Sequence, residues 1–573
     1  MTKFGKLLFT LVIIILAAVA ALRVMRGAAN DGDSSARHDT AKSSAETAGN
    51  ASAAAAPSQS GTEAPAEKAF DYLPPGLVPK LSSSQPYRPQ DNTVIINISE
   101  YAGYAGLILA NNGLAPNENS WFTQNGGFKV KITLSEEDSW DDLQAGRIAA
   151  TATTVDVLSN YGRQWQCSVP LQISWSRGAD GLIVRKEIRK INDLAGKRIA
   201  TAPFSEAEFF IRYLAQEAGL SVKRIDGPDA PADPASVNLV FLEDAFTAGD
   251  AFLDDLQNDR GKLAGCVTWA PKTTEVVQSA NGKARQLIDN KNLLLIADVL
   301  AVNKGFAKDH ADKVRVLVEG TMLFNDRIRR EPEAHLQAIA TAFSQFKWTA
   351  ATARDELSKV HLSNLPENLA FFEGAIDAAG SFSGVFQSAN LAYGSELQPN
   401  PVAATYFSDL TVLKAIQQAG KLAGQEASIK PIRSSDQTPI EQDPLLTRDI
   451  RFFFMPNDWK LDMAKQENTG FLDSVNRLLN VSPGSMVLLR GHVDNARIQD
   501  IRKQGGEALV RKTALKAMEL STQRANEVKS QLLKKHPSID PARIEVIGRG
   551  WEEPAGANPD LNRRVEVQWF TLE

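Results

Sequence analysis

Read for its hydrophobic and polar positions, the chain changes pattern several times. Leu7 to Leu22 is an apolar run interrupted only by Thr10, entered through Lys3 and Lys6 and left through Arg23 and Arg26. It is shorter than the ~20 residues a spanning helix usually needs, but Phe4 and Val24-Met25 extend it. The pattern predicts a retained membrane anchor over 1–26; a cleavable signal peptide with an Ala18-Val19-Ala20 site is the competing reading. From Gly27 to about residue 90 almost no large apolar residue occurs before Phe70, and Ala, Ser, Pro and Gly dominate. Such a stretch buries too little surface to offset its chain entropy, so 27–90 is expected to be a disordered tether. Its roughly 60 residues would span about 40 to 50 Å.

At Thr93 the pattern turns to short apolar runs separated by helical periodicity. Strands are expected at Val94–Ile98, Lys129–Leu134, Ile148–Thr153, Leu171–Trp175, Gly181–Arg185, Lys197–Thr201, Asn238–Leu242, Cys266–Trp269 and Asn292–Asn303. Trp140–Gly146 reads as a helix closed by glycine, and Thr154 stands where a helix cap belongs. This alternation argues for an α/β unit with mostly parallel sheets over 91–425. A linker, 426–445, carries Pro431 and Pro439. Beyond it, over 446–573, the order is strand (Asp449–Phe454), helix (Gln466–Leu479), strand (Met486–Leu489), long helix (Glu507–Lys535), strand (Arg543–Ile547) and strand (Val565–Phe570). That is a βαβαββ α/β sandwich.

Composition changes this picture little. With 573 residues, about three or four domains are expected. The 43% hydrophobic and 23% charged content suits folded units with cores, and a net charge of −5 without a Lys/Arg block argues against nucleic acid as a partner. Cys167 and Cys266 stand in no CxxC or Cys/His cluster, so no zinc or redox motif is expected; a disulfide between them or two buried free thiols both remain open. None of the six histidines sits at metal-ligand spacing, and neither a GxSxG elbow nor a P-loop occurs. No catalytic residue, metal or cofactor is therefore expected.

The carboxyl-terminal motifs are specific. They are Gly491-His492-Val493-Asp494, Leu520-Ser521-Thr522-Gln523-Arg524-Ala525, Arg543-Ile544-Glu545-Val546-Ile547-Gly548-Arg549-Gly550, and Asn562-Arg563-Arg564-Val565-Glu566-Val567. In this order they resemble the OmpA-like domain that holds peptidoglycan. The resemblance implies that Asp494 and Arg524 grip the free diaminopimelate end of a wall peptide. Asp494 would take its ammonium and Arg524 its carboxylate in a bidentate bond, while Arg563 and Arg564 would brace the site or form surface ion pairs. Two departures stand out: Arg497 to Thr513 is inserted between the pair, and Ala517 replaces the family's usual asparagine.

The central unit carries a second resemblance. Tyr101-Ala102-Gly103-Tyr104-Ala105 after a strand, Ala150 to Asp156, Trp175 to Gly181, Ile191 to Lys197, and Cys266 to Pro271 follow the order of two-lobed solute-binding proteins of ABC importers, of the nitrate, sulfonate and taurine type. This implies one lobe from 92–185 plus 295–425 and another from 186–294, crossed twice and closing by a hinge. It also implies ligand contacts at Tyr101, Tyr104, Thr153, Thr154, Trp175, Asp180, Ser205 and Trp269, with an anionic solute as the expected ligand.

Together these features predict a single-pass inner-membrane protein with its bulk in the periplasm. It would capture a small solute and attach to peptidoglycan, with a transporter or envelope complex as a further partner. The alternative is an assembly protein whose binding-protein fold is a docking platform. An ion-driven stator role fits poorly, because Leu7 to Leu22 holds no ionisable residue.

Overall fold

The computed structural model describes residues 70–135, 139–374, 381–428, 446–450, 452–454, 458–482, 484–556 and 559–570. The expected anchor, most of the expected tether and residues 429–445 of the linker lie outside the described residues. Among the described residues no helix is long and apolar enough to cross a membrane.

The strands, in chain order, are β1 (Thr93–Ile98), β2 (Lys129–Leu134), β3 (Ala150–Thr154), β4 (Cys167–Ser176), β5 (Asp180–Arg185), β6 (Arg198–Thr201), β7 (Ser221–Ile225), β8 (Ser236–Phe241), β9 (Gly265–Trp269), β10 (Ala284–Asp289), β11 (Ala297–Asn303) and β12 (Val360–Leu362). They form two sheets, ordered β12-β4-β11-β3-β1-β2 and β10-β5-β9-β6-β8-β7. In the first, β1 pairs parallel with β2 and β3, while β11 runs antiparallel to β3 and β4. In the second, β6, β7, β8 and β9 pair in parallel, while β5 runs antiparallel to β9 and β10. The central strands are covered by helices on both faces: β3, β8, β9 and β11 are buried at every position.

Each sheet is one lobe, and the chain passes between them twice, at 177–179 and at 290–296. The expected boundary at residue 185 is corrected here. β5 belongs to the second sheet, because Asp180–Val184 pair with Gly265–Trp269. Asn290 ties the two crossings together. Its Oδ1 accepts from the Gly178 N–H (2.6 Å) and the Asp180 N–H (3.3 Å), and its Nδ2 donates to the Ser176 carbonyl (3.1 Å) and Asp180 Oδ2 (3.1 Å).

The end of the expected tether is also corrected. Residues 70–90 lie packed against both lobes. The Leu73 N–H donates to the Phe241 carbonyl (2.8 Å), and Arg224 donates to the Gly76 carbonyl (2.6 Å). Farther on, the Tyr87 N–H donates to Asn303 Oδ1 (3.1 Å). Val78 and Tyr87 are buried, and Pro74, Pro75, Pro79, Pro86 and Pro89 stiffen the path, so this segment loses less entropy on docking than composition suggests.

The carboxyl-terminal unit contains β13 (Leu446–Ile450), β14 (Met486–Gly491), β15 (Ile544–Gly548) and β16 (Val565–Phe570), in sheet order β13-β16-β14-β15. Helices Gln466–Val481 and Ile498–Lys535 complete the βαβαββ pattern. The second helix begins nine residues before the expected Glu507, and a break at Gly505 and Gly506 separates its first turns from the rest. Gly491 and Gly548 allow this helix to lie close on the sheet. A Cβ at Gly491 would stand 2.0 Å from the Ser521 carbonyl oxygen, and one at Gly548 would stand 2.1 Å from Thr522 Oγ1. The unit touches the second crossing, where the Leu294 N–H donates to the Val481 carbonyl (2.7 Å).

Candidate functional site

The carboxyl ends of the parallel strands in the first sheet meet the second lobe across a cleft of about 600 Å³, counted with its open mouth. Open α/β sheets place ligands at this position, because strand order reverses there and loop ends diverge. Asn97 and Ser99 come from the end of β1, Tyr101 and Tyr104 from the turn after it, and Thr153 and Thr154 from the end of β3. Ser176 and Asp180 flank the first crossing, Ile296 ends the second and Asp298 follows it, and Trp269 ends β9.

Local sequence explains these positions. Gly103 lets the Tyr101 ring fold back over its own turn, since a Cβ there would stand 2.2 Å from Tyr101 Cε1 and 2.4 Å from Ser174 Oγ. The two tyrosine rings then meet edge to face, with centroids 5.3 Å apart. Trp269 packs against Phe246 at 5.1 Å on the second lobe.

Of the eight residues expected at the ligand site, Tyr101, Tyr104, Thr153, Thr154, Asp180 and Trp269 line the cleft. Trp175 does not. It is fully buried, with its ring edge-on to Phe371 at 5.4 Å, as core. Ser205 is absent from the lining as well. It caps the helix Glu206–Glu217, accepting from the Glu208 N–H (3.5 Å) and donating to the Ala202 carbonyl (3.0 Å). Its neighbour Glu206 faces the cleft instead. Thr154 occupies a cap position, yet its side chain makes no capping bond.

Asp298, Glu206 and Trp140 were not among the expected residues. A lone carboxylate within the apolar run Leu293 to Val302 was the available signal for Asp298, since a buried acid in a central strand needs a reason. Asp298 Oδ1 accepts from the Tyr104 hydroxyl (3.2 Å) and Oδ2 from Ser174 Oγ (3.0 Å). Burial, then repulsion from Asp180, holds its carboxyl well above the usual range. Asp180 accepts from Ser176 Oγ and from Asn290, and burial still raises it to about 6. Asp156, fully buried just beyond β3, is raised to about 7 by burial first, with Asp180 adding repulsion. Among the described residues the lining carries three carboxylates and no Lys, Arg or His.

The second candidate site lies at the top of the carboxyl-terminal sheet. Asp494 follows β14, and Arg524 sits on the long helix directly after the Ser521 contact with β14. The Gly550 N–H donates to Ser521 Oγ (3.0 Å), and the Val493 N–H donates to the Gly550 carbonyl (2.8 Å). Asn562 Oδ1 accepts from the Ala555 N–H (2.7 Å) and the Gly556 N–H (3.2 Å), which fixes the loop before β16. Residues 453–568 match the OmpA family.

In this OmpA domain the three expected residues converge. Arg563 pairs with Asp494 Oδ2 at 3.5 Å. The Arg524 guanidinium lies over the Phe454 ring, 4.9 Å from its centroid, and donates to the Asp458 carbonyl (3.4 Å). Its buried Nε has no partner among the described residues. Burial and the positive charge of Arg563 lower its pKa, against the pull of Asp494. Arg564 instead pairs with Glu566, which also holds Arg490, so this arginine braces the sheet below the site. Ala517, at the position of the family's usual asparagine, is buried and offers no polar contact.

Solved structures similar to the two-lobed part include the periplasmic aliphatic sulphonate binding protein of Escherichia coli. It is 14% identical, with 55% of this chain and 96% of that chain covered and a TM-score of 0.40. The alkanesulfonate-binding protein of Xanthomonas axonopodis pv. citri bound to MOPS is 16% identical, with 56% and 100% covered and a TM-score of 0.40. A ligand binding component of an ABC-type import system from Staphylococcus aureus with zinc bound is 12% identical, with 56% and 98% covered and a TM-score of 0.41. No curated protein matches the chain significantly.

Proposed function

We propose that this protein captures a small solute between its two lobes and attaches to peptidoglycan through its OmpA domain. The observation that carries the first half is the cleft: aromatic faces and buried polar groups converge where two hinge crossings join the lobes. For the second half, the support is the convergence of Asp494, Arg524 and Arg563 on one face. Arg524 presents a buried donor, Nε, that has no partner among the described residues, suited to a carboxylate, and Asp494 suits an ammonium. The apolar run Leu7 to Leu22 would anchor the chain in the inner membrane with its bulk in the periplasm, within reach of a transporter or envelope complex. In this reading the chain is a binding protein, not an enzyme.

Thermal unfolding of the full chain against a panel of small solutes of both charges tests the first half. A ligand at a hundredfold its dissociation constant adds about 2.7 kcal/mol of stability, a readily measured shift. An unchanged transition across the panel would contradict solute capture.

A further inference from the structure

The charge on the interlobe cleft says which solutes can enter it. Asp180 and Asp298 stand on the lining, and among the described residues that line it there is no Lys, Arg or His. Asp180 and Asp298 are each only 3% exposed. The donors that reach them are neutral: Ser176 and Asn290 for Asp180, Tyr104 and Ser174 for Asp298. Buried carboxylates in proteins are ordinarily matched by a cation, because neutral hydrogen bonds offset only part of the desolvation cost. Here the described protein supplies none on the lining.

Two further observations point to a ligand. Thr153 is 4% exposed and lines the cleft, yet its hydroxyl has no partner among the described residues. The walls are aromatic, with Tyr101, Tyr104, Trp140 and Trp269 contributing ring surface. Aromatic faces attract cations through the ring quadrupole, and they also cover the carbon portion of an organic ligand.

Building on solute capture in this cleft, we infer that the ligand is a small organic amine bound as its ammonium ion, with the charge held by the Asp180 and Asp298 carboxylates. A primary ammonium suits the lining better than a quaternary one. It carries three N–H donors, and the lining offers carboxylate and hydroxyl acceptors, Thr153 among them. An anionic solute would meet two buried acids at close quarters and no compensating donor of positive charge.

Isothermal titration calorimetry of the full chain tests this, with ethylammonium, putrescine and tetramethylammonium chlorides set against sodium ethanesulfonate and sodium nitrate. The expected result is heat from ethylammonium or putrescine, and none from the two anions. Asp298→Asn should weaken that binding at least about tenfold, since it removes one partner of a buried charge pair. Should that variant fail to fold, Thr153→Val, which keeps the side-chain shape and removes the acceptor, should still weaken it measurably. Binding of ethanesulfonate or nitrate with the amines silent would overturn the amine assignment and leave solute capture standing. Tetramethylammonium binding as tightly as ethylammonium would overturn the role given to N–H donors. Silence from every compound would overturn both the amine assignment and solute capture.

Discussion

Asp156 offers a sharp test of the electrostatics behind the cleft. Its carboxyl is fully buried, and its pKa rises from 3.8 to about 7 because ionisation there loses water and adds a charge near Asp180. At roughly 1.4 kcal/mol per tenfold change, the ionised form costs the folded protein about 4 kcal/mol. The sign follows from the raised value. The folded state holds this proton more tightly than the unfolded chain does. Its contribution is therefore complete below about pH 4 and is lost as pH rises toward 7. Asp156→Asn keeps the shape and removes the titration. Melting temperatures of the full chain and this variant, measured from pH 4 to pH 8, should diverge progressively, with the variant gaining relative stability as pH rises. Asp180 and Asp298 are raised in the same direction, so the variant should keep part of the slope. A constant difference between the two curves across this range would refute the reasoning.

Other consequences follow from single residues. Asn290→Ala deletes four hydrogen bonds that join the two crossings; stability should fall by about 2 to 4 kcal/mol, read by urea denaturation, and a fall under about 0.5 kcal/mol would deny Asn290 its hinge role. Trp175→Ala and Trp269→Ala should separate core from site. The first should cost about 3 to 5 kcal/mol of stability, while the second should mainly lower solute affinity, with denaturation and titration run side by side. Gly491→Ala places a methyl against the Ser521 carbonyl and should destabilise the OmpA domain by more than about 2 kcal/mol, visible as an early unfolding transition in circular dichroism.

Much of this architecture is written in local pattern. β1, β2, β4, β9 and β16 appear as apolar or alternating runs, and each is buried as its pattern requires. What pattern cannot carry is partnership between distant segments. β5 reads as a strand, but only pairing with β9 assigns it to the second lobe. β7 and β10 went unread because an edge strand such as Ser221–Ile225 is largely polar, with Ser221, Lys223 and Arg224, and β10 is interrupted by a register shift between Gln286 and Ile288. The proline-rich residues 70–90 look like tether because their few apolar anchors are widely spaced.

The sites divide in the same way. Asp494, Arg524 and Arg563 each sit within a motif of fixed order, and the fold brings them to one face. Trp175 and Trp269 both end the strands expected from the sequence; burial against Phe371 makes one core, while the other lines the cleft. The charge of the lining was not legible, since Glu206 and Asp298 come from separate lobes and meet only when folded.

The central claim is that one chain both captures solute and holds the wall, and the wall half can be measured directly. Purified diaminopimelate-containing sacculi should pellet the full chain, and Arg524→Ala should leave it in the supernatant while its melting curve stays close to wild type. Equal pelleting of wild type and Arg524→Ala, or no pelleting of the wild type, would contradict the account.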